Sequence, residues 1–314
     1  MLLLGLILAL GVMACTPNEH PAATSAGFVQ PEGSTTPSKI PLSPTPTKTA
    51  TPTDTRVPKD TPTIPSTATS TSTPTVTPLA CLSEPGAVES RQLDSQSLPK
   101  PLEYLVYLPP CYAQSAQRYP VIYLIHGQTY RADHWLDLGA GEIADRLITA
   151  GEVAPFIMVF PYERDHYIYP PENEFRSAFI NDLIPAVDGE FRTLRDRSQR
   201  AIGGISRGGN WAVHIGLQHP KLFGAIGAHS TPVFSSDSNP EIIRWLRAIP
   251  LDEMPRIYLD AGENDRWLQY TQVFEQILND ENIPHEWHLY PGFHEDAYWQ
   301  AHMEEYLRWY AQGW

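Results

Sequence analysis

The sequence predicts an α/β fold, with a mostly parallel central sheet and helices on both faces. Short runs that are apolar throughout, such as Val121 to Ile125, suit strands covered on both sides. Between them lie segments whose apolar residues recur at helical spacing. Strands and helices that alternate in this way build one sheet with its crossover helices packed against it. The first strand is Tyr104 to Leu108, ended by Pro109 and Pro110. Val121 to Ile125 leads into His126 and Gly127, and Phe156 to Phe160 stops at Pro161. Ala201 to Ile205, Ala225 to His229, Ile257 to Asp260 and Trp287 to Tyr290 complete the sheet. Phe175, Phe179 and Leu183 mark a helix that Pro185 limits or kinks. Asn210 to Gln218 forms the next helix. Asn239 caps another, with Pro240 and Glu241 in its first turn. Tyr270, Phe274, Ile277 and Leu278 make an apolar stripe, and Asp296 to Tyr310 is a final, aromatic-rich helix.

Ahead of this pattern the chain reads differently. Leu2 to Val12 is an apolar run too short to span a bilayer, and it ends in Val12-Met13-Ala14-Cys15. Residues 1–14 therefore read as an export signal of lipoprotein type, with Cys15 as the lipidated residue and membrane anchor, although no Lys or Arg precedes the run. Residues 15–80 are dominated by Thr, Ser and Pro, with too little apolar surface to offset the entropy of ordering. They read as an extended stalk, and residues 81–314 as the globular domain. The expected location is extracytoplasmic. With Cys15 set aside, Cys81 and Cys111 remain, a pair expected to form a disulfide in an oxidising compartment. The net charge of -14 and the lack of a Lys/Arg stripe argue against nucleic acid as a partner. No oligomeric state is implied.

The strongest chemical signal is Gly204-Ile205-Ser206-Arg207-Gly208, between an expected strand and an expected helix. That is the context a nucleophile elbow requires. A sharp strand-to-helix turn holds the serine in an unfavourable backbone conformation, and its neighbours must lack side chains. The turn exposes Oγ and aims the Arg207 N–H and the helix N-terminus at a developing oxyanion. The expected architecture is the α/β-hydrolase fold.

A serine hydroxyl needs a base and an acid that orients the base, here in the order Ser, acid, His. His294 lies in a loop after the last strand, whereas His285 and His288 lie in or beside that strand and His302 within the helix. Asp260, Glu263 and Asp265 compete as the acid, and Asp265 is favoured because it reaches out from a loop. After the Val121 to Ile125 strand, Gly127 lets the backbone approach closely and Gln128 N–H is the expected second oxyanion donor. Trp135, Trp211 and Trp267, with Tyr162, Tyr167 and Tyr169, fall near the sheet edge where ligands bind and are candidates to stack on a sugar or phenolic ring. No spacing of Cys or His suggests a metal, and the chemistry needs no cofactor.

Phe179-Ile180-Asn181-Asp182-Leu183-Ile184-Pro185, Ala201 to Gly209, His219-Pro220-Lys221-Leu222-Phe223 and Tyr123 to Gly127 together resemble the putative esterase family. That family includes esterase D, feruloyl esterases, enterochelin esterases and mycolyltransferases. The resemblance covers roughly residues 100 to 312. It implies Ser206 as nucleophile, Asp265 in the Gly-x-Asn-Asp loop as acid, His294 as base and Gln128 as oxyanion donor. Arg207 departs from the pattern, filling a place often held by Met or Gln; it either favours an acidic acyl or leaving group or turns to solvent. The implied activity is hydrolysis of a small-molecule or carbohydrate ester, including feruloyl, acetyl or siderophore esters. The alternatives are an acyltransferase using the same residues, or a non-catalytic carbohydrate-binding surface lipoprotein, against which the intact Ser206, Asp265 and His294 argue.

Overall fold

The computed structural model of the chain describes residues 80–314. The export signal, Cys15 and the Thr/Ser/Pro-rich segment up to residue 79 lie outside them. The described residues build one eight-stranded sheet. Its strands are β1 (Ala87–Leu93), β2 (Leu102–Leu108), β3 (Val121–Ile125), β4 (Ile157–Pro161), β5 (Arg200–Ile205), β6 (Ala225–His229), β7 (Arg256–Gly262) and β8 (Glu286–Tyr290). The order across the sheet is β1-β2-β4-β3-β5-β6-β7-β8. β2 runs antiparallel to both β1 and β4, and the pairs from β4 to β8 are parallel. Cys81 and Cys111 are joined in a disulfide, which ties the segment before β1 to the turn after β2.

The central strands are buried on both faces because their side chains alternate between two cores. Val121, Tyr123 and Ile125 of β3 belong to one core, and Ile122 and Leu124 to the other. The helices are α1 (His134–Asp137), α2 (Ala140–Thr149), α3 (Phe175–Ala178), α4 (Ile184–Glu190), α5 (Arg207–Gln218), α6 (Asn239–Ala248), α7 (Leu268–Asp280) and α8 (Asp296–Tyr310). Residues of α3 to α7 pack in the first core, and residues of α1, α2 and α8 in the second.

Two local features differ from expectation. A π-helical turn, Phe179–Leu183, joins α3 to α4, so the chain passes Pro185 without stopping. Widening the turn accommodates a residue that has no N–H to donate. The cap of α6 is Ser238, not Asn239, and its N–H donates to the Glu241 carboxylate at 3.4 Å.

Behind the C-terminal half of the sheet lies a buried polar hub. Asp260, fully buried, accepts hydrogen bonds from Tyr298 Oη at 2.8 Å, Tyr306 Oη at 2.7 Å and His229 Nδ1 at 2.7 Å. His229 Nε2 in turn meets Tyr310 Oη at 2.9 Å. Three tyrosines of α8 are thereby pinned to β6 and β7, and the loop that precedes α8 carries His294.

Candidate active site

Ser206 sits between β5 and α5 with φ +54° and ψ -115°, a conformation that side chains seldom adopt. The glycines make the turn possible. A Cβ on Gly204 would lie 2.1 Å from the Gly208 carbonyl carbon, and one on Gly208 would lie 2.0 Å from the Ile125 oxygen. The Ser206 N–H donates to His229 O at 2.7 Å, which fixes the elbow against β6.

His294 Nε2 lies 2.9 Å from Ser206 Oγ, and His294 Nδ1 lies 2.8 Å from Asp265 Oδ2. The loops bearing His294 and Asp265 are stitched together by backbone. Glu263 N–H donates to Tyr290 O at 2.8 Å and Asn264 N–H to Gly292 O at 2.9 Å. Asp265 also caps the next turn, since its Oδ1 accepts from Trp267 N–H at 2.7 Å. One carboxylate oxygen thus serves the helix and the other the imidazole. Glu263 is exposed, and Asp260 is occupied by the buried tyrosine hub. Trp299 stands edge-on to His294, with centroids 5.1 Å apart.

Arg207 behaves in neither of the expected ways. Its side chain is 4% exposed and its Nε donates to Glu163 Oε2, itself 1% exposed, at 2.7 Å. A guanidinium neutralised in this way does not offer a free charge to an acidic substrate. Nη2 also donates to the carbonyls of Asp165 at 3.2 Å and Ile168 at 2.7 Å, so Arg207 clamps the 163–173 loop. Asn173 Nδ2 adds a bond to Glu163 Oε1 at 3.0 Å. Removing one member of a pair this buried typically costs about 3–5 kcal/mol, because a bare charge is left behind. Seven residues along α5, His214 Nδ1 meets Asp237 Oδ2 at 2.9 Å and holds the 230–239 loop. Trp211 lies between them, packed on Phe175 and Phe234 at 5.2 and 4.9 Å.

The two loops wall a cavity of about 900 Å³ that reaches Ser206 and His294. Gln128, Tyr167, Tyr169 and Trp267 line it. Trp135 and Trp211 do not, so contrary to the expectation from sequence they are not substrate-binding residues. Both are fully buried in the cores. Trp135 Nε1 donates back to Ile125 O at 3.1 Å, and Trp211 lies beneath the cavity wall on the inner face of α5. Tyr162 is likewise outside the lining, covered by Arg131 and Arg164 at 4.7 and 5.2 Å. Sequence reasoning missed Asn210, Phe234, Asp237 and Tyr270 as lining residues. Asn210 follows the elbow by one helical turn, and that spacing alone could have placed it; its Oδ1 is buried without a partner. The Phe234–Asp237 loop carries no motif.

His126, before Gly127, accepts from Glu163 N–H at Nε2 (2.9 Å) and donates from Nδ1 to Gly127 O (2.7 Å). Burial pushes its pKa down from 6.5 to about 4. Below pH 6.5 the unfolded chain binds a proton there that the folded chain refuses. Stability is therefore full above that pH and is lost as pH falls toward 4, by about 3 kcal/mol at most. His126→Asn, which does not titrate, is expected to flatten the profile of urea midpoint against pH across this window. Equal slopes in parent and variant would mean that the folded protein tolerates a charged His126.

Residues 95–310 match the putative esterase family. The chain is 32% identical over 175 residues to an endo-1,4-beta-xylanase/feruloyl esterase of Xylanibacter ruminicola, a match that covers 51% of this chain and 24% of that protein. It is 26% identical over 243 residues to an esterase of Mycobacterium tuberculosis, covering 60% of this chain and 51% of the relative. The chain thus spans about a quarter to a half of the length of these curated relatives. A solved ferulic acid esterase is similar with a TM-score of 0.65 at 24% identity, over 73% of this chain and 98% of the other, which is a likeness of fold.

Proposed function

The chain belongs to the putative esterase family and has the α/β-hydrolase fold, and from that premise we propose that it is a serine carboxylic-ester hydrolase with Ser206 as nucleophile. His294 takes the Ser206 proton at Nε2 as Oγ attacks the ester carbonyl. Asp265 accepts Nδ1–H, fixes the tautomer and stabilises the imidazolium. The N–H groups of Gln128 and Arg207 receive the oxyanion. The alcohol leaves with the proton from His294, and the acyl group stays on Ser206. Water then gives a proton to His294 and attacks the acyl carbonyl; the acyl–Oγ bond breaks, His294 returns that proton to Ser206 Oγ, and the acid is released. The observation that carries this reading is the unbroken relay from Asp265 through His294 to Ser206, at 2.8 and 2.9 Å, with Ser206 and His294 on the lining of the cavity.

The ester we assign joins an aromatic acid to a carbohydrate. Trp267 and Tyr270 are both exposed on the cavity rim, with ring centroids 5.8 Å apart, and such faces stack on sugars. Tyr169 and Phe234 offer an aromatic wall nearer Arg207. The names of the relatives, feruloyl and ferulic acid esterase, support an aromatic acyl group. We take residues 81–314 as the catalytic domain and Cys15 as its lipid anchor outside the cytoplasm, a placement that the Cys81–Cys111 disulfide supports.

The full chain is expected to react with a fluorophosphonate at Ser206, read by mass spectrometry, and to release ferulic acid from a feruloylated arabinoside. No label, together with no hydrolysis of that ester or of 4-nitrophenyl acetate, ends this reading.

A further inference from the structure

Gly127 is held from two sides by imidazoles of opposite tautomer. Its N–H donates to His134 Nδ1 at 3.2 Å. Its carbonyl accepts from His126 Nδ1–H at 2.7 Å and from Tyr130 N–H at 3.2 Å. His134 is arranged in reverse to His126, for its Nδ1 accepts while Nε2–H donates to Asp296 Oδ1 at 3.1 Å. The Tyr130 ring lies flat on that of His134, with centroids 3.6 Å apart, and its hydroxyl donates to the same Asp296 oxygen at 2.9 Å. Asp296 opens α8, two residues after His294. His134 is 1% exposed.

A glycine left alone samples more backbone conformations than any other residue. Holding both its N–H and its carbonyl removes that freedom. The peptide that follows is planar and trans, so a carbonyl fixed toward His126 turns the Gln128 N–H the opposite way. Gln128 lines the cavity that Ser206 opens into. The arrangement links the loop after β3, which carries Gln128, to α8, which follows His294. Resting on the esterase reading above, we propose that His134 is a positioning residue, which aims the Gln128 N–H by gripping Gly127 and couples that aim to α8 through Asp296.

The test compares two amides. His134→Asn keeps an acceptor near the place of Nδ1, within reach of Gly127 N–H. His134→Gln reaches toward Asp296 and brings no acceptor to Gly127. An oxyanion donor contributes about 10²–10³ in kcat, and a misaimed one forfeits part of that. His134→Gln is expected to lower kcat about 10- to 100-fold with KM within about twofold of the parent, and His134→Asn to recover most of the loss. Both variants lose the same ring, so a merely structural histidine would lower both melting temperatures and leave the two kcat values equal. Equal values, or a His134→Gln kcat within about twofold of the parent, overturn the proposal. Should His134→Gln not fold, Asp296→Ala at a half-exposed position serves instead. It is expected to cost about tenfold in kcat at constant KM, and full kcat there overturns the coupling. Ser206→Ala is assayed alongside. If it stays active, the esterase reading fails; if it is inert while the His134 variants turn over equally, only the positioning role fails.

Discussion

Ser206→Ala is expected to lower kcat on any ester the protein turns over by about 10⁵- to 10⁶-fold, the scale seen when a serine nucleophile is removed elsewhere. The substitution takes away one oxygen and keeps Cβ. The elbow should survive it, because the Ser206 N–H still donates to His229 O and the close approach of Gly204 to Gly208 is untouched. Melting temperature is therefore expected to stay level or rise slightly, since an active site commonly gives up stability for function. His294 keeps its Asp265 partner, and the binding of an ester should change little. A variant that retains more than about 1% of parental kcat, free of contaminating hydrolase, would exclude Ser206 as the attacking group.

The second large effect concerns the acid. Asp265→Asn is expected to lower kcat by about 10⁴-fold with KM little changed, because an amide does not hold the imidazole in the tautomer that leaves Nε2 free to accept. The variant keeps an oxygen able to accept from Trp267 N–H, so the start of α7 should hold. Glu263→Gln, in an exposed side chain, should leave kcat near the parental value. Asp260→Asn should act through stability, since three buried donors converge on that carboxylate. Steady-state rates and melting curves of the three variants separate these outcomes. Near-full kcat in Asp265→Asn with a collapse in Glu263→Gln would reverse the assignment.

Much of the sheet was legible because its inner strands are apolar without a break, as in Val121 to Ile125. β1 was not, since Ala87–Leu93 is an edge strand whose residues alternate between exposed and half-exposed, with charges at Glu89 and Arg91. The glycines of the elbow were legible because sterics demand them. The partner of Arg207 was not, because Glu163 lies 44 residues away and nothing local marks it. Tryptophans failed for a related reason. Trp211 and Trp267 both lie near the carboxyl ends of strands, yet Trp211 sits on the inner face of α5 and is buried, whereas Trp267 precedes α7 and is exposed, and the local sequence does not separate the two. His134 is not legible in the sequence, which offers no sign that two imidazoles, eight residues apart, will share one glycine.

Arg207 and His214 give α5 a consequence of their own. The loops at 163–173 and 230–239 are moored to the helix that begins at Ser206 through the Glu163 and Asp237 carboxylates and the Asp165 and Ile168 carbonyls, while the exposed side chains of Tyr167 and Ile168, at the tip, take no part in those bonds. Variation at such tips leaves the anchorage and the reacting atoms where they are. A lineage, or an engineer, can therefore rewrite a few exposed side chains beside the cavity at little structural cost, whereas the same liberty at Glu163 or Asp237 would unmoor a whole wall.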